Sequence, residues 1–461
     1  MGNTRNWRLP MLNLILILPL CVAPAQPATG ELLPIRYLVD DQGRELVLHG
    51  LNISNAAKSD PRGMAWHKRA DYARMGEWGF NAIRLLWFWS VLESQEGLYD
   101  IGYLDRLRKR LDWAQENGLK VILDMHQDLY GPKFTGDGAP LWATLDEDIP
   151  FEPTTPWWLN YLHPAVRTSF SNLWHDLWLQ QKYQRAWQLV ALHLGDHPAV
   201  ISYDLMNEPF HGDEDLTTFE AQYLKPFYHG IAQAIRQVRP EANIGFEPVA
   251  FPTASGLLSN MPAFGDDNAL YLPHYYDPFV HEGLAYHGNR WVVMLAISMK
   301  AVEANRHEVP MVLGEWGVLS SSPGWDDYVS DVLDALDIYS SGWTWWAYDR
   351  GSGFAILNAD GSENERLQPL VRTYPQAVAG HIVSQGFNAA TRIFEMEFTN
   401  NPAASGPTEI FVPAERLYGG SFQLTFSDPD GAWSYSFDDS RQVLALVHDP
   451  GTESHTVRIT P

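Results

Sequence analysis

Two stretches of this chain end an apolar run in a glutamate. The run Ile201-Ser202-Tyr203-Asp204-Leu205-Met206 leads into Asn207-Glu208-Pro209, and Met311-Val312-Leu313 leads into Gly314-Glu315-Trp316-Gly317. Each glutamate stands where buried chain gives way to a cleft. Such surroundings can raise the pKa of one carboxyl, while hydrogen bonds and a nearby cation keep another charged. A protonated carboxyl that gives its proton to a leaving oxygen, beside an ionised one that attacks carbon, is what glycosidic bond cleavage needs. A lone Asn-Glu-Pro fits a capped loop equally well. Two such motifs are more specific when neighbouring apolar runs also end in Arg84, His126, His274 with Tyr276, and Trp346.

Positioning these residues requires a repeated frame. From residue 32 to about 371, short apolar runs alternate with longer amphipathic segments, the mark of βα units. Strand-like runs fall at 45–51, 82–86, 121–125, 200–205, 243–246, 269–272, 311–313 and 342–345, with helix-like stretches such as 103–117 and 183–194 between them. Asn117-Gly118 and Gly195 read as helix C-caps. Eight strands with intervening helices suggest an α/β protein, a (β/α)8 TIM barrel, although a doubly wound open sheet has similar spacing. In such a barrel the site forms at the C-terminal ends of the strands, where the residues above lie. Residues 130–173 lack periodicity and are rich in Gly, Pro and Trp, as functional loops are. After Ala379-Gly380 short strands follow one another without helices, as in 391–398, 409–412, 422–426, 443–447 and 456–460. Phe394, Met396 and Phe398 alternate there with Glu395 and Glu397. The division expected is a signal segment 1–25, a barrel 32–380, and a small C-terminal antiparallel β-sandwich 381–461.

Composition narrows the partners. The 461 residues carry a net charge of −24, which disfavours nucleic acid and attachment to anionic lipid. Arg5 and Arg8, an apolar run from Leu9 to Leu20, and Ala23-Pro24-Ala25 read as a cleavable export signal too short to span a bilayer comfortably. The expected location is secreted or periplasmic, with no stable membrane insertion after cleavage. Cys21 is the only cysteine and lies inside that signal, so the mature chain has neither a disulfide nor a thiolate metal site. No metal or cofactor is expected, since carboxylates suffice for this chemistry. The 19 Trp, 20 Tyr and 20 Phe supply flat rings suited to sugar faces or to plain core.

Arg84, His126, Asn207-Glu208, His274-Tyr275-Tyr276, Glu315 and Trp346, in that order, resemble glycoside hydrolase family 5 of clan A over residues about 32 to 375. The resemblance implies a retaining mechanism with the carboxyl groups about 5–5.5 Å apart. It implies Glu208 as acid/base and Glu315 as nucleophile, with Asn207 on the sugar 2-hydroxyl. It further implies that Arg84 and Tyr276 hold Glu315 ionised and aimed, that His126 and His274 line the subsite, and that Trp346 is its floor.

A narrower resemblance, to the endoglycoceramidase group, rests on four stretches. They are Asp124-Met125-His126-Gln127-Asp128, Gly136-Asp137-Gly138-Ala139-Pro140-Leu141-Trp142-Ala143-Thr144, Tyr203 to Phe210, and Tyr374-Pro375-Gln376-Ala377-Val378-Ala379-Gly380 followed by a small β-domain. It implies cleavage between glycan and ceramide, with Lys58, Asp124 and Asp128 on the sugar side. An apolar loop wall suits a lipid aglycone, and Phe134, Leu141, Trp142, Phe151, Trp157 and Trp158 are its candidates. The loop is shorter between Tyr130 and Gly136 than is usual for the group. Ganglioside, galactosylceramide and glucosylceramide preferences therefore stay open. The alternatives are a β-1,4-glucanase or β-glucosidase acting on soluble or simple glycosides, and a non-catalytic glycan-binding barrel. The second would normally lose one carboxylate.

Overall fold

The apolar runs pair as parallel strands. The computed structural model describes residues 33–351 and 353–461, so the expected signal at 1–25 lies outside the described residues. The strands are Leu48–Ile53, Ala82–Trp87, Lys120–Met125, Val200–Asp204, Ile244–Phe246, Ala269–Tyr271 resumed as His274–Tyr275, Leu313–Trp316 and Gly342–Trp345. The sixth strand breaks at Pro273, which has no N–H to give the ladder. Its two pieces both reach the seventh strand, through Tyr271 opposite Met311 and His274 opposite Glu315. The last strand pairs with the first, Gly342 opposite Leu48, and the (β/α)8 barrel closes. Leu48–Ile53 and Ala82–Trp87 are buried along their whole length, as expected of parallel strands covered on both sides.

Helices wrap this sheet by their apolar stripes. Ile101–Glu116 starts at Asp100, whose carboxylate accepts the Tyr103 N–H at 2.9 Å, and buries Tyr103, Leu104, Leu107, Leu111 and Ala114. Gly118 ends it in the left-handed region at φ 71°. Gly195 after Leu177–Leu194 is a glycine for a different reason. Its backbone is right-handed, and a Cβ there would lie 2.2 Å from the Tyr203 hydroxyl.

The C-terminal strands form two facing antiparallel sheets. One orders Leu38–Val39, Glu45–Leu46, Tyr374–Val378, Thr408–Phe411, Val443–Val447 and Ser434–Asp438; the other orders Gly380–Asn388, Ile393–Asn400, Ser454–Thr460 and Gln423–Phe426. Phe394, Met396 and Phe398 point inward, against Ile410, Leu444, Leu446, Val457 and Ile459. The first sheet takes in Tyr374–Val378, ahead of residue 380, and an N-terminal hairpin from before the first barrel strand. Sequence alternation does not reveal this exchange, because both pieces are short. Barrel and sandwich also interlock directly. Tyr374 donates its hydroxyl to the Gly79 carbonyl at 2.6 Å, and a Cβ on Gly79 would fall 2.2 Å from the Phe411 ring. Buried Arg372 meets Asp337 across the same boundary.

Candidate active site

Arg84, on the second barrel strand, is fully buried and organises the barrel mouth. Its Nε donates to Asp204 Oδ2 at 2.7 Å, Nη1 to Glu315 Oε1 at 2.7 Å, and Nη2 to Asn207 Oδ1 and Glu247 Oε1, each at 2.9 Å. Asp124 Oδ1 is 3.0 Å from Nη2. One guanidinium thus faces four carboxylates, an arrangement affordable only because every partner is in place. Tyr276 donates its hydroxyl to the other oxygen of Glu315 at 3.0 Å. Arginine and tyrosine together leave Glu315 one orientation.

Glu208 follows the fourth strand in a left-handed backbone conformation, φ 44°. Its Oε1 is 2.9 Å from Nδ1 of His274. The imidazole lies between three carboxylates, with Glu247 Oε1 3.3 Å from Nε2 and Glu315 Oε2 3.8 Å from Nδ1. Burial opposes a charged imidazole, but Glu247, Glu315 and the bond to Glu208 outweigh it and hold His274 above its usual range. Burial pushes Glu208 upward, yet the hydrogen bond and charge of His274, with Lys58 and Arg84 behind it, bring it below its ordinary value. An oxygen of Glu208, a nitrogen of His274 and an oxygen of Glu315 lie within 4.8 Å of one another. That closeness suits covalent capture and fits the short carboxyl spacing of a retaining site better than the about 6.5–9.5 Å of an inverting one.

The comparisons with known proteins agree with this geometry. Residues 39–352 match the model of the cellulase family, glycosyl hydrolase family 5, and residues 372–460 match the glycoside hydrolase family 5 C-terminal domain. The chain belongs to glycosyl hydrolase family 5. It is 28% identical to endoglycoceramidase I of Rhodococcus hoagii (strain 103S) over 458 residues, covering 93% of this chain and 90% of that one. Endo-glycoceramidase II from Rhodococcus sp. in complex with ganglioside GM3 superposes with TM-score 0.86 at 31% identity, covering 93% and 100% of the two chains. The lactosyl-enzyme intermediate of that relative superposes with TM-score 0.84 at 32% identity, covering 92% and 99%.

Beside the carboxylate pair, Lys58 donates to Asp128 Oδ2 at 2.5 Å and sits 4.3 Å over the Trp346 ring. Burial disfavours the ammonium, but Asp128, Asp137 and Glu315 more than compensate, and its pKa rises. His126 stacks on Trp346 at 5.5 Å and 9°, and its Nδ1 lies 2.7 Å from Asp124. Burial and the nearby cations Lys58 and Arg84 keep that imidazole neutral, well below its usual range. His126, Asp128 and Asp137 could offer ligand atoms to a metal, as could Glu208, His274 and Glu315. In each group one carboxylate is already paired with a cation of the chain itself, Asp128 with Lys58 and Glu315 with Arg84. Asp124 corrects the expectation of a sugar contact. It is fully buried behind Arg84 and His126 and orients them instead.

The loop aromatics divide. Phe134 is fully buried with its ring 5.1 Å from Phe151, so it packs the loop's own core and cannot be an aglycone wall. Trp142 turns away as well, donating its indole N–H to the Glu93 carbonyl at 2.8 Å and meeting Trp89 and Trp178 edge-on. Trp157 stays half exposed, and Trp158 donates to Glu282 at 3.0 Å, joining the loop to the segment after the sixth strand. Three residues missed by the sequence reading complete the site. Asn52 Oδ1 accepts from Arg84 at 3.2 Å, and Asp204 and Glu247 flank the guanidinium. Glu247 directly follows the strand run ending at Phe246, so the rule that found Glu208 and Glu315 could have found it.

Proposed function

We propose that the chain is a retaining endo-glycosidase that releases intact glycan from the ceramide of glycosphingolipids. The observation that carries this reading is the close Glu208/Glu315 pair, with Arg84 and Tyr276 on one partner and His274 on the other. The names of the relatives supply the substrate class. Glu315 attacks the anomeric carbon, and Glu208 gives a proton to the departing ceramide oxygen. In the free site that proton rests on His274. A bound sugar excludes water, and a neutral acid–imidazole pair is then favoured over an ion pair. As the charge of Glu315 passes into the new C–O bond, the imidazolium also loses a stabilising partner. The proton moves from Nδ1 to Glu208 and on to the leaving oxygen. Water then attacks the glycosyl ester, and Glu208 takes its proton back. Asn207, held by Arg84 and by Nδ2 donating to the Gln127 carbonyl at 2.9 Å, keeps one amide hydrogen for the sugar 2-hydroxyl. Trp346 forms the subsite floor, and Lys58 and Asp128 meet sugar hydroxyls.

Export is part of the proposal and rests on the basic and apolar pattern of residues 1–25; N-terminal sequencing of the protein from culture supernatant checks it. No helix among the described residues is long and apolar enough to cross a membrane. The deciding experiment incubates the enzyme with fluorescent glycosylceramides beside soluble cellooligosaccharides and scores intact glycan. Release of whole glycan from the lipid is expected; preference for the soluble glucan overturns the ceramide reading.

A further inference from the structure

Glu247 has no part in the reaction just described, yet it touches three groups that do. Its Oε2 accepts the backbone N–H of Glu208 at 2.9 Å. Its Oε1 accepts from Arg84 Nη2 at 2.9 Å and lies 3.3 Å from His274 Nε2. Its own backbone carbonyl accepts the Tyr228 hydroxyl at 3.1 Å, and Asp204 is the remaining charged neighbour. The residue is 1% exposed, so it does not meet substrate.

We infer that Glu247 is a positioning residue for proton donation, holding the Glu208 backbone with one oxygen and the His274 imidazole with the other. This rests on the acid/base reading of Glu208. Glu208 is in a backbone region that side-chain-bearing residues seldom occupy, so it needs neighbours that hold it there. The bond to Glu247 holds that N–H and so sets where the Glu208 carboxyl emerges. From the other side, His274 is hydrogen-bonded to Glu208 at Nδ1 and has the Glu247 carboxylate 3.3 Å from Nε2, so a charge partner stands on each side of the ring. Burial pushes Glu247 up to about 8, and the charges of His274 and Arg84 work against that rise. Neither neighbour can do the work alone. Arg84 reaches Glu315 and Asn207 but not the Glu208 main chain, and Asp204 is committed to Arg84 Nε.

The test compares two substrates that differ in their need for an acid. Glu247→Gln is assayed on a fluorescent lactosylceramide, whose leaving alkoxide must be protonated, and on dinitrophenyl lactoside, whose leaving group departs unaided. The expected loss in kcat/KM is about 10²-fold on the lipid and no more than about tenfold on the aryl glycoside. The smaller loss reflects weaker aiming of Glu315 through Arg84. Glu247→Asp, which keeps the charge on a shorter arm, is expected to recover part of the lipid activity. Equal losses on both substrates overturn the inference. If Glu247→Gln fails to fold, Glu247→Asp alone must show the larger loss on the lipid, and equal losses there overturn it too. Glu208→Ala run in parallel separates the two readings. Its asymmetry together with none at Glu247 removes only the role of Glu247, whereas no asymmetry at Glu208 removes the acid/base assignment and this inference with it.

Discussion

The Arg84 cluster beneath the barrel mouth and the core of the C-terminal sandwich are both buried, and they are built from opposite materials. In the mouth, Arg84 is wholly buried among Asp124, Asp204, Glu247 and Glu315. In the sandwich, Phe394, Met396, Phe398, Val457 and Ile459 meet Ile410, Leu444 and Leu446, and a buried polar contact is the pair His455–Asp428 at 2.7 Å. Burying charges costs more than their attraction returns unless each has its partners. Apolar burial is cumulative and forgiving. The mouth therefore spends stability to hold reactive groups in one arrangement, and the sandwich, docked through Gly79, Tyr374 and Asp337, supplies stability to the whole.

Substitutions separate these two economies. The largest effect is expected at Glu315→Gln, which should lower turnover of glycosylceramide by about 10⁵-fold or more. Its melting temperature should stay near that of the parent, because Arg84 retains three carboxylates and the amide oxygen. Residual activity within a hundredfold of the parent, beyond the order of loss expected for a nucleophile, would remove Glu315 from that role. Phe398→Ala reverses the pattern. A cavity in the sandwich should cost about 3–5 kcal/mol in urea titration while leaving kcat of the folded enzyme unchanged. A marked fall in kcat would mean that the sandwich shapes the site as well as supporting it.

The smallest effect is acid sensitivity, and it should enter through the barrel. Burial lowers His67 to about 4, despite its 2.9 Å bond to the Tyr348 carbonyl. The unfolded chain takes up this proton near pH 6.5 and the folded chain only near 4. The stability from a neutral His67 is thus full above pH 6.5 and disappears as pH falls through that window, by up to about 3 kcal/mol. Burial holds His49 and His307 low in the same way. Urea midpoints between pH 7 and 4 should fall more steeply for the parent than for His67→Gln. Parallel curves would assign acid sensitivity elsewhere.

Much of this was legible in the residues. The alternation of apolar runs and amphipathic stretches placed all eight barrel strands to within a few residues, because a parallel strand buried on both faces must be apolar throughout. Residues at the ends of several runs, with Arg84 inside the second, then marked the rim, and Arg84, His126, Asn207, Glu208, His274, Tyr276, Glu315 and Trp346 do converge there. The inward alternation of Phe394, Met396 and Phe398 was equally plain. The strands Gly380–Asn388 and Ser434–Asp438 were not, since one follows no alternation and the other is a mostly exposed edge.

Spacing thus placed the barrel strands, the inward face of the sandwich and the two glutamates at strand ends, because periodicity reports which side chains must be buried. A closed barrel rather than an open sheet came from the resemblance and from the pairing of the last strand with the first. Periodicity does not report which polar groups meet once they are buried. Arg84 and Glu315 are 231 residues apart in the chain, and Arg84 and Glu247 are 163 apart. Only closure of the barrel brings them within hydrogen-bonding distance. Only packing turns Phe134 and Trp142 inward, while leaving Trp157 at the surface and Asp124 behind the sugar site. The same closure puts Glu247 beneath Glu208 and His274, where a carboxylate that reads in sequence as the end of one more strand governs how the acid is held.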